Sequence, residues 1–211
     1  MRVFYNPPKI LYKMFPKFVW ESKVDKILLT FDDGPNPGTT ESILERLNKF
    51  NIKALFFCVG ENVKKYPDLF EKIISEGHII GNHSYSHRNI TLKDKSKVYE
   101  QIELCSKILN EQSGIRPQYF RPPHGRFDFR TNMLMEKHQL TNIMWSLLTY
   151  DYKNDLNIVK LAVQNYLTKG SIVVLHDNNK SKDVVYSSIN FIVKEVGKRG
   201  VEFGIPSECL R

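Results

Sequence analysis

The chain has 211 residues, 41% hydrophobic and 26% charged, with a formal net charge of +8; this is ordinary globular composition, and one domain with one sizeable core is expected. No stretch approaches the roughly 20 apolar residues that span a bilayer. Cys58, Cys105 and Cys209 are widely scattered with no CxxC spacing, which argues against a disulfide framework or a structural zinc site.

Residues 1–25 read as an N-terminal extension packing on the domain that follows. The segment is basic and aromatic (Arg2, Lys9, Lys13, Lys17, Phe15, Phe18, Trp20), and Pro7, Pro8 and Pro16 interrupt every apolar run. It lacks the apolar core of a signal peptide, so a cytoplasmic location is expected. Lysines are dispersed along the chain rather than gathered in a stripe, and the expected reading is a solvated surface with no nucleic-acid partner.

From Lys26 to the C-terminus, short apolar runs alternate with helical patterns. The predicted strands are Ile27–Phe31, Ala54–Val59, His78–Ile80, Gln118–Arg121, Asn142–Ser146, Ile172–His176 and Val201–Phe203. Between them, Ile43, Leu44, Leu47 and Phe50 share one helical face after Thr39 and Thr40. Pro67 opens a helix that Gly77 closes. Val98, Ile102, Cys105 and Leu109 form a stripe ending at Gly114. Ile158, Leu161 and Ala162, then Ile189, Ile192, Val193 and Val196, complete the series. Repeated strand–helix alternation predicts an α/β fold with a parallel sheet covered by helices. About seven units fit a distorted or incomplete (β/α) barrel better than an eightfold one, which needs about 250 residues.

Polar motifs fall just after the strands, where a parallel barrel would gather them on one face. Asp32-Asp33, in Thr30-Phe31-Asp32-Asp33-Gly34-Pro35, places two carboxylates together at a strand end. Neighbours on a strand normally point to opposite faces, and like charges held close raise one another's pKa. A cation beside the pair, most simply a metal ion, would resolve this. His83 and His87 are spaced i, i+4, which puts both imidazoles on one side of a single helical turn and suits chelation of a divalent metal. One carboxylate and two imidazoles would make a three-ligand site with a position left for water or substrate. The second acid would be free to take a proton. Arg121, in Arg121-Pro122-Pro123-His124-Gly125, would keep a carboxylate ionised and oriented. His176, in Leu175-His176-Asp177, would protonate a leaving group, with Asp151 orienting it and raising its pKa.

These four blocks, in this order, resemble the polysaccharide deacetylases of carbohydrate esterase family 4, and the match runs from about Lys26 to Gly204. The resemblance makes 26–211 a polysaccharide deacetylase catalytic domain. It implies a distorted (β/α) barrel and metal-dependent hydrolysis of an acetyl amide on an N-acetylated glycan. It implies Asp32 as catalytic base, Asp33, His83 and His87 as metal ligands, Arg121 as the residue positioning the base, and His176 as general acid tuned by Asp151. Leu175 would lie beside the acetyl methyl. Pro123, His124 and Tyr152 would contact substrate, with the His124 backbone N–H facing the oxyanion. Zinc suits the ligand set, and cobalt, nickel or iron could occupy it. The chain departs from the common family pattern at Leu148, where many members have an acid, at Tyr152, where many have tryptophan, and at His124, where many have tyrosine. The same machinery would also serve O-acetyl esters, and a catalytically silent sugar-binding module is the alternative from another class.

Overall fold

The computed structural model describes residues 4–91 and 94–211; residues 1–3 of the expected extension, Arg2 included, lie outside the described residues. Seven strands form one sheet: β1 (Leu28–Asp32), β2 (Leu55–Cys58), β3 (Ile79–Asn82), β4 (Tyr119–Phe120), β5 (Thr141–Asn142), β6 (Leu147–Leu148) and β7 (Ile172–His176). Every pairing is parallel. The spatial order β5-β4-β3-β2-β1-β7-β6 is that of a barrel cut open between β5 and β6. The helices are α1 (Lys9–Met14), α2 (Thr40–Lys49), α3 (Gly60–Lys65), α4 (Pro67–Ser75), α5 (Lys95–Ser113), α6 (Arg130–His138), α7 (Leu156–Tyr166), α8 (Val185–Lys198) and α9 (Pro206–Cys209). No helix among the described residues is long and apolar enough to cross a membrane.

Period-two alternation builds two cores from the same strands. Leu29 and Phe31 of β1, Phe56 and Cys58 of β2, and Val173 and Leu175 of β7 join the outer core beneath the helices, with Ile43, Leu44 and Leu47 of α2 and Ile189 and Ile192 of α8. Leu28, Leu55, Phe57 and Ile172 point the other way, into the barrel. Each such side chain, fully withdrawn from water, stabilises the fold by about 1.5–3 kcal/mol. The predicted stripes on α2, α4, α5 and α8 are present; on α7 the buried face is Val159, Ala162 and Val163, and Leu161 of the predicted stripe is exposed, because the helix turns the neighbouring row of apolar residues to the core. α5 starts at Asp94, whose carboxylate accepts from Ser96 N (2.9 Å), and stops at Gly114, with φ of 69°, the left-handed region that glycine enters without strain.

Two predicted strands differ. Of the run Asn142–Ser146 only Asn142 is in a strand, as the last residue of β5, and β6 begins just after the run. The carbonyls of Ile143 and Met144 accept from Arg121 (2.9 and 2.7 Å) instead of joining a ladder. Val201–Phe203 forms only a single bridge, Phe203 to Ile27, because Gly204 and Pro206 end the run. The short helices α1, α3, α6 and α9 carry too little periodic signal to be predicted. The N-terminal segment lies across the β5–β6 opening: Val19 N donates to Asn142 O (2.9 Å), Met144 N to Val19 O (2.7 Å) and Leu148 N to Tyr5 O (2.7 Å). Phe15, Phe18 and Trp20 bury there with Met144.

Candidate metal and acid–base site

Because all seven strands run the same way, Asp32, Arg121 and His176 emerge at one rim. Asp32 sits on the barrel-facing side of β1 with Thr30, as alternation requires. Asp33 departs from that alternation: its φ of 80° turns the chain as the strand ends. Simple alternation predicts that the two carboxylates part; instead both face one imidazole. His83 Nε2 lies 4.0 Å from Asp32 Oδ2 and 3.6 Å from Asp33 Oδ1. A positive φ at a non-glycine residue persists only where the surroundings enforce it. Here Asn62 Nδ2 donates to the Asp33 carbonyl (2.7 Å).

Arg121 is fully buried. Its Nη1 donates to Asp32 Oδ1 and to Thr30 Oγ1, both at 2.7 Å, and its plane lies 4.2 Å from the Phe57 ring centre. Its other donors reach the Ile143 and Met144 carbonyls described above. Burial draws the guanidinium pKa down and Asp32 draws it back up. A buried pair this fully hydrogen-bonded holds one carboxylate orientation, and removing one partner leaves an uncompensated charge.

His83 and His87 do not share a helical turn. Residues 83–87 are irregular, with positive φ at Ser84 (63°) and His87 (53°). The Asn82 side chain redirects the chain by accepting from Ser84 N (2.7 Å), and Tyr85 N donates to Gln101 O. Local side-chain and loop bonds have displaced the helix. The imidazoles still meet, with ring centres 5.0 Å apart. His83 Nδ1 donates to the Arg121 carbonyl (2.7 Å), leaving Nε2 turned toward the acids. His87 Nε2 is 3.0 Å from Asp33 Oδ1. Burial would raise the Asp33 pKa, but hydrogen bonds from both imidazoles hold it well below the usual carboxylate range.

Across the rim, His176 Nδ1 donates to Asp151 Oδ1 and His176 N to Asp151 Oδ2, both at 2.7 Å. Burial lowers the imidazole pKa, but the Asp151 charge and hydrogen bond outweigh it and bring the value to about 9. Tyr152 stands edge-on to His176, ring centres 4.8 Å apart. Asp177 is also buried, bonded to the Thr39 and Thr40 hydroxyls at 2.5 and 2.6 Å. Burial lifts its pKa to about 7.

These groups open on a groove of about 610 Å³, lined in part by Asp32, Asp33, His83, His87, His124 and His176, with Trp145, Leu148 and Tyr152 as its broad wall. Two expected contacts fall outside it. Leu175 is fully buried in the outer core, because a residue next to His176 on a strand faces the other way; Val174, two residues from His176, lines the groove instead. Pro123 is buried in the turn behind the groove rather than on its surface. The i, i+2 spacing of Val174 and His176 was a sequence signal for the groove-facing apolar residue. Asn62, Trp145 and Asn178 were not singled out, and nothing local in their spacing marks them.

The ligand atoms of Asp33, His83 and His87 lie within 4.8 Å of one another. One carboxylate oxygen and two imidazole nitrogens, one with its second nitrogen already committed to a carbonyl, fit a borderline divalent ion such as zinc.

The sequence profile of the polysaccharide deacetylases matches residues 21–143. The peptidoglycan-N-acetylglucosamine deacetylase PgdA of Listeria monocytogenes is 34% identical over 201 residues, covering 94% of this chain and 41% of its own length. The chain thus spans about two fifths of that relative. The crystal structure of a peptidoglycan N-acetylglucosamine deacetylase superposes with a TM-score of 0.88 at 27% identity, covering 96% of both chains. A carbohydrate esterase family 4 pseudoenzyme from Bacillus anthracis shares the fold, with a TM-score of 0.83 at 22% identity over 92% of this chain and 68% of its own. Taken with the barrel open between β5 and β6, these matches establish that the chain belongs to the polysaccharide deacetylase family.

Proposed function

We propose that residues 26–211 form a metal-dependent deacetylase domain that hydrolyses the acetyl amide of an N-acetylated amino sugar in a glycan, preceded by an N-terminal extension, 1–25, of which Tyr5, Phe15, Phe18, Val19 and Trp20 pack on the barrel. One observation carries this reading. The Asp33–His83–His87 cluster faces the same groove as an arginine-bound Asp32 and an aspartate-bound His176. A silent sugar-binding module would have no use for all of these costly buried charges.

Zinc held by Asp33, His83 and His87 would polarise the acetyl carbonyl and lower the pKa of water from about 15.7 toward about 7. Asp32, fixed by Arg121, takes a proton from the attacking water as its oxygen bonds to the carbonyl carbon. The backbone N–H of His124, a groove-lining residue, would serve the oxygen that gains charge. His176, cationic through Asp151, gives its proton to the amide nitrogen as the C–N bond breaks. The products are acetate and a free amino sugar. Val174, Leu148, Trp145 and Tyr152 supply apolar surface for the methyl group and sugar ring.

The test is acetate release from N-acetylglucosamine oligomers and peptidoglycan fragments, with zinc and with chelator. Zinc-dependent release is expected. Glycan binding without acetate release by the zinc-loaded protein would overturn the proposal in favour of a binding module. Release from O-acetyl xylan alone would move the reaction to esters.

A further inference from the structure

We propose that Asn178 is a positioning residue that holds Asp33 in a one-oxygen binding mode toward the metal site; this rests on the metal-dependent reading above. Asn178 Nδ2 donates to Asp33 Oδ2 at 2.5 Å. The other oxygen, Oδ1, faces His87 Nε2 at 3.0 Å and His83 Nε2 at 3.6 Å. The carboxylate is therefore divided: one oxygen is turned to the imidazoles and the other is engaged by an amide.

The amide cannot turn round. Asn178 Oδ1 accepts from Lys180 N (2.8 Å), closing a turn on its own backbone, so the nitrogen must face Asp33. The loop beneath is equally tied. Ser181 N and Oγ donate to the Asn178 carbonyl (3.1 and 3.0 Å), and Asp177 N donates to Asp32 O (2.7 Å). Asn62, on α3, holds the Asp33 backbone and Asn178, in the loop after β7, its side chain, so two asparagines from separate segments fix one strained residue. A donor on the free oxygen disfavours two-oxygen ligation and limits carboxylate rotation. Removing such an outer partner typically costs about 10–100-fold in metal affinity.

The experiment measures zinc dissociation constants by chelator competition, with the melting temperature of the metal-free protein, for wild type, Asp33→Ala, Asn178→Leu and Asn178→Ser. Leucine removes both amide groups at similar size. Serine keeps an acceptor for Lys180 N but cannot reach Asp33, so it decides the matter if the leucine variant fails to fold. About tenfold or greater loss of zinc affinity is expected in both Asn178 variants, with the metal-free serine variant melting as wild type does. Zinc affinity within about twofold of wild type in the folded variants would overturn the proposal, whatever happens to melting. Failure of wild type to bind zinc would instead overturn the functional reading. Binding lost in Asp33→Ala but retained in both Asn178 variants would overturn this inference alone.

Discussion

The two sides of the groove are built differently. On the strand side, Asp32 and His176 end β1 and β7, and each has one buried partner of complementary charge, Arg121 or Asp151. On the loop side, Asp33, His83 and His87 follow their strands, and positive φ values at Asp33, Ser84 and His87 aim them at one another. Strand ends suit groups that must hold one orientation, because the ladder fixes the backbone beneath them. Loops suit ligands, because three donors from two segments can converge only where the chain leaves regular geometry. Acid–base chemistry and metal binding should therefore be separable by mutation.

The largest expected effect is on the strand side. Asp32→Asn should lower kcat/KM by about 10²–10⁴-fold, the usual worth of a positioned base, with zinc affinity near that of wild type. Full activity in this variant would end the base assignment, and lost zinc binding would end the separation of the two sides. Next comes Arg121→Ala, which leaves Asp32 buried without its cation; denaturant unfolding should show a loss of about 3–5 kcal/mol. Leu175→Ala should cost about 2–5 kcal/mol of stability with little change in KM. Val174→Ala should do the reverse, raising KM at a smaller stability cost. A KM effect at Leu175 alone would contradict the alternation that sends it away from the groove.

The smallest effect concerns pH. His176, raised from the ordinary 6.5 to about 9, stays protonated through neutrality, so kcat/KM should decline as pH rises through about 9. The stabilisation from its pairing with Asp151 is complete below about 6.5 and is lost between there and about 9. Asp151→Asn removes the charge that raises this value, so the alkaline limb should move to lower pH. An unmoved limb would detach His176 from the proton-transfer step.

Much of this was legible along the chain. The alternation of apolar runs with helical stripes implied the barrel, since each run is too short and too apolar for anything but a buried parallel strand. Asp32-Asp33, His83, His87, Arg121, Asp151 and His176 were legible because each lies at or just past a strand end. The local conformation between the histidines was not legible. The i, i+4 spacing suggests a helical turn, whereas bonds to Asn82 and Gln101 impose an irregular loop. Leu175 was misplaced for a different reason: the strand period that assigns its face was available, but the choice between it and Val174 depends on which face of β7 looks into the barrel.

By itself, then, the amino-acid sequence determined the parallel α/β architecture and the identity of the charged groups at its rim, because hydrophobic periodicity and the cost of placing carboxylates beside apolar strands are local properties. Only the tertiary structure decided which way those groups face. The φ of Asp33, the opening between β5 and β6 covered by Val19 and Tyr5, and the amide of Asn178 on Asp33 all depend on contacts between segments far apart in sequence. Orientation at the rim is set by hydrogen bonds between segments separated along the chain, from Asn62 to Asp33 and from Asn178 to Asp33, and no local pattern of residues encodes such partners.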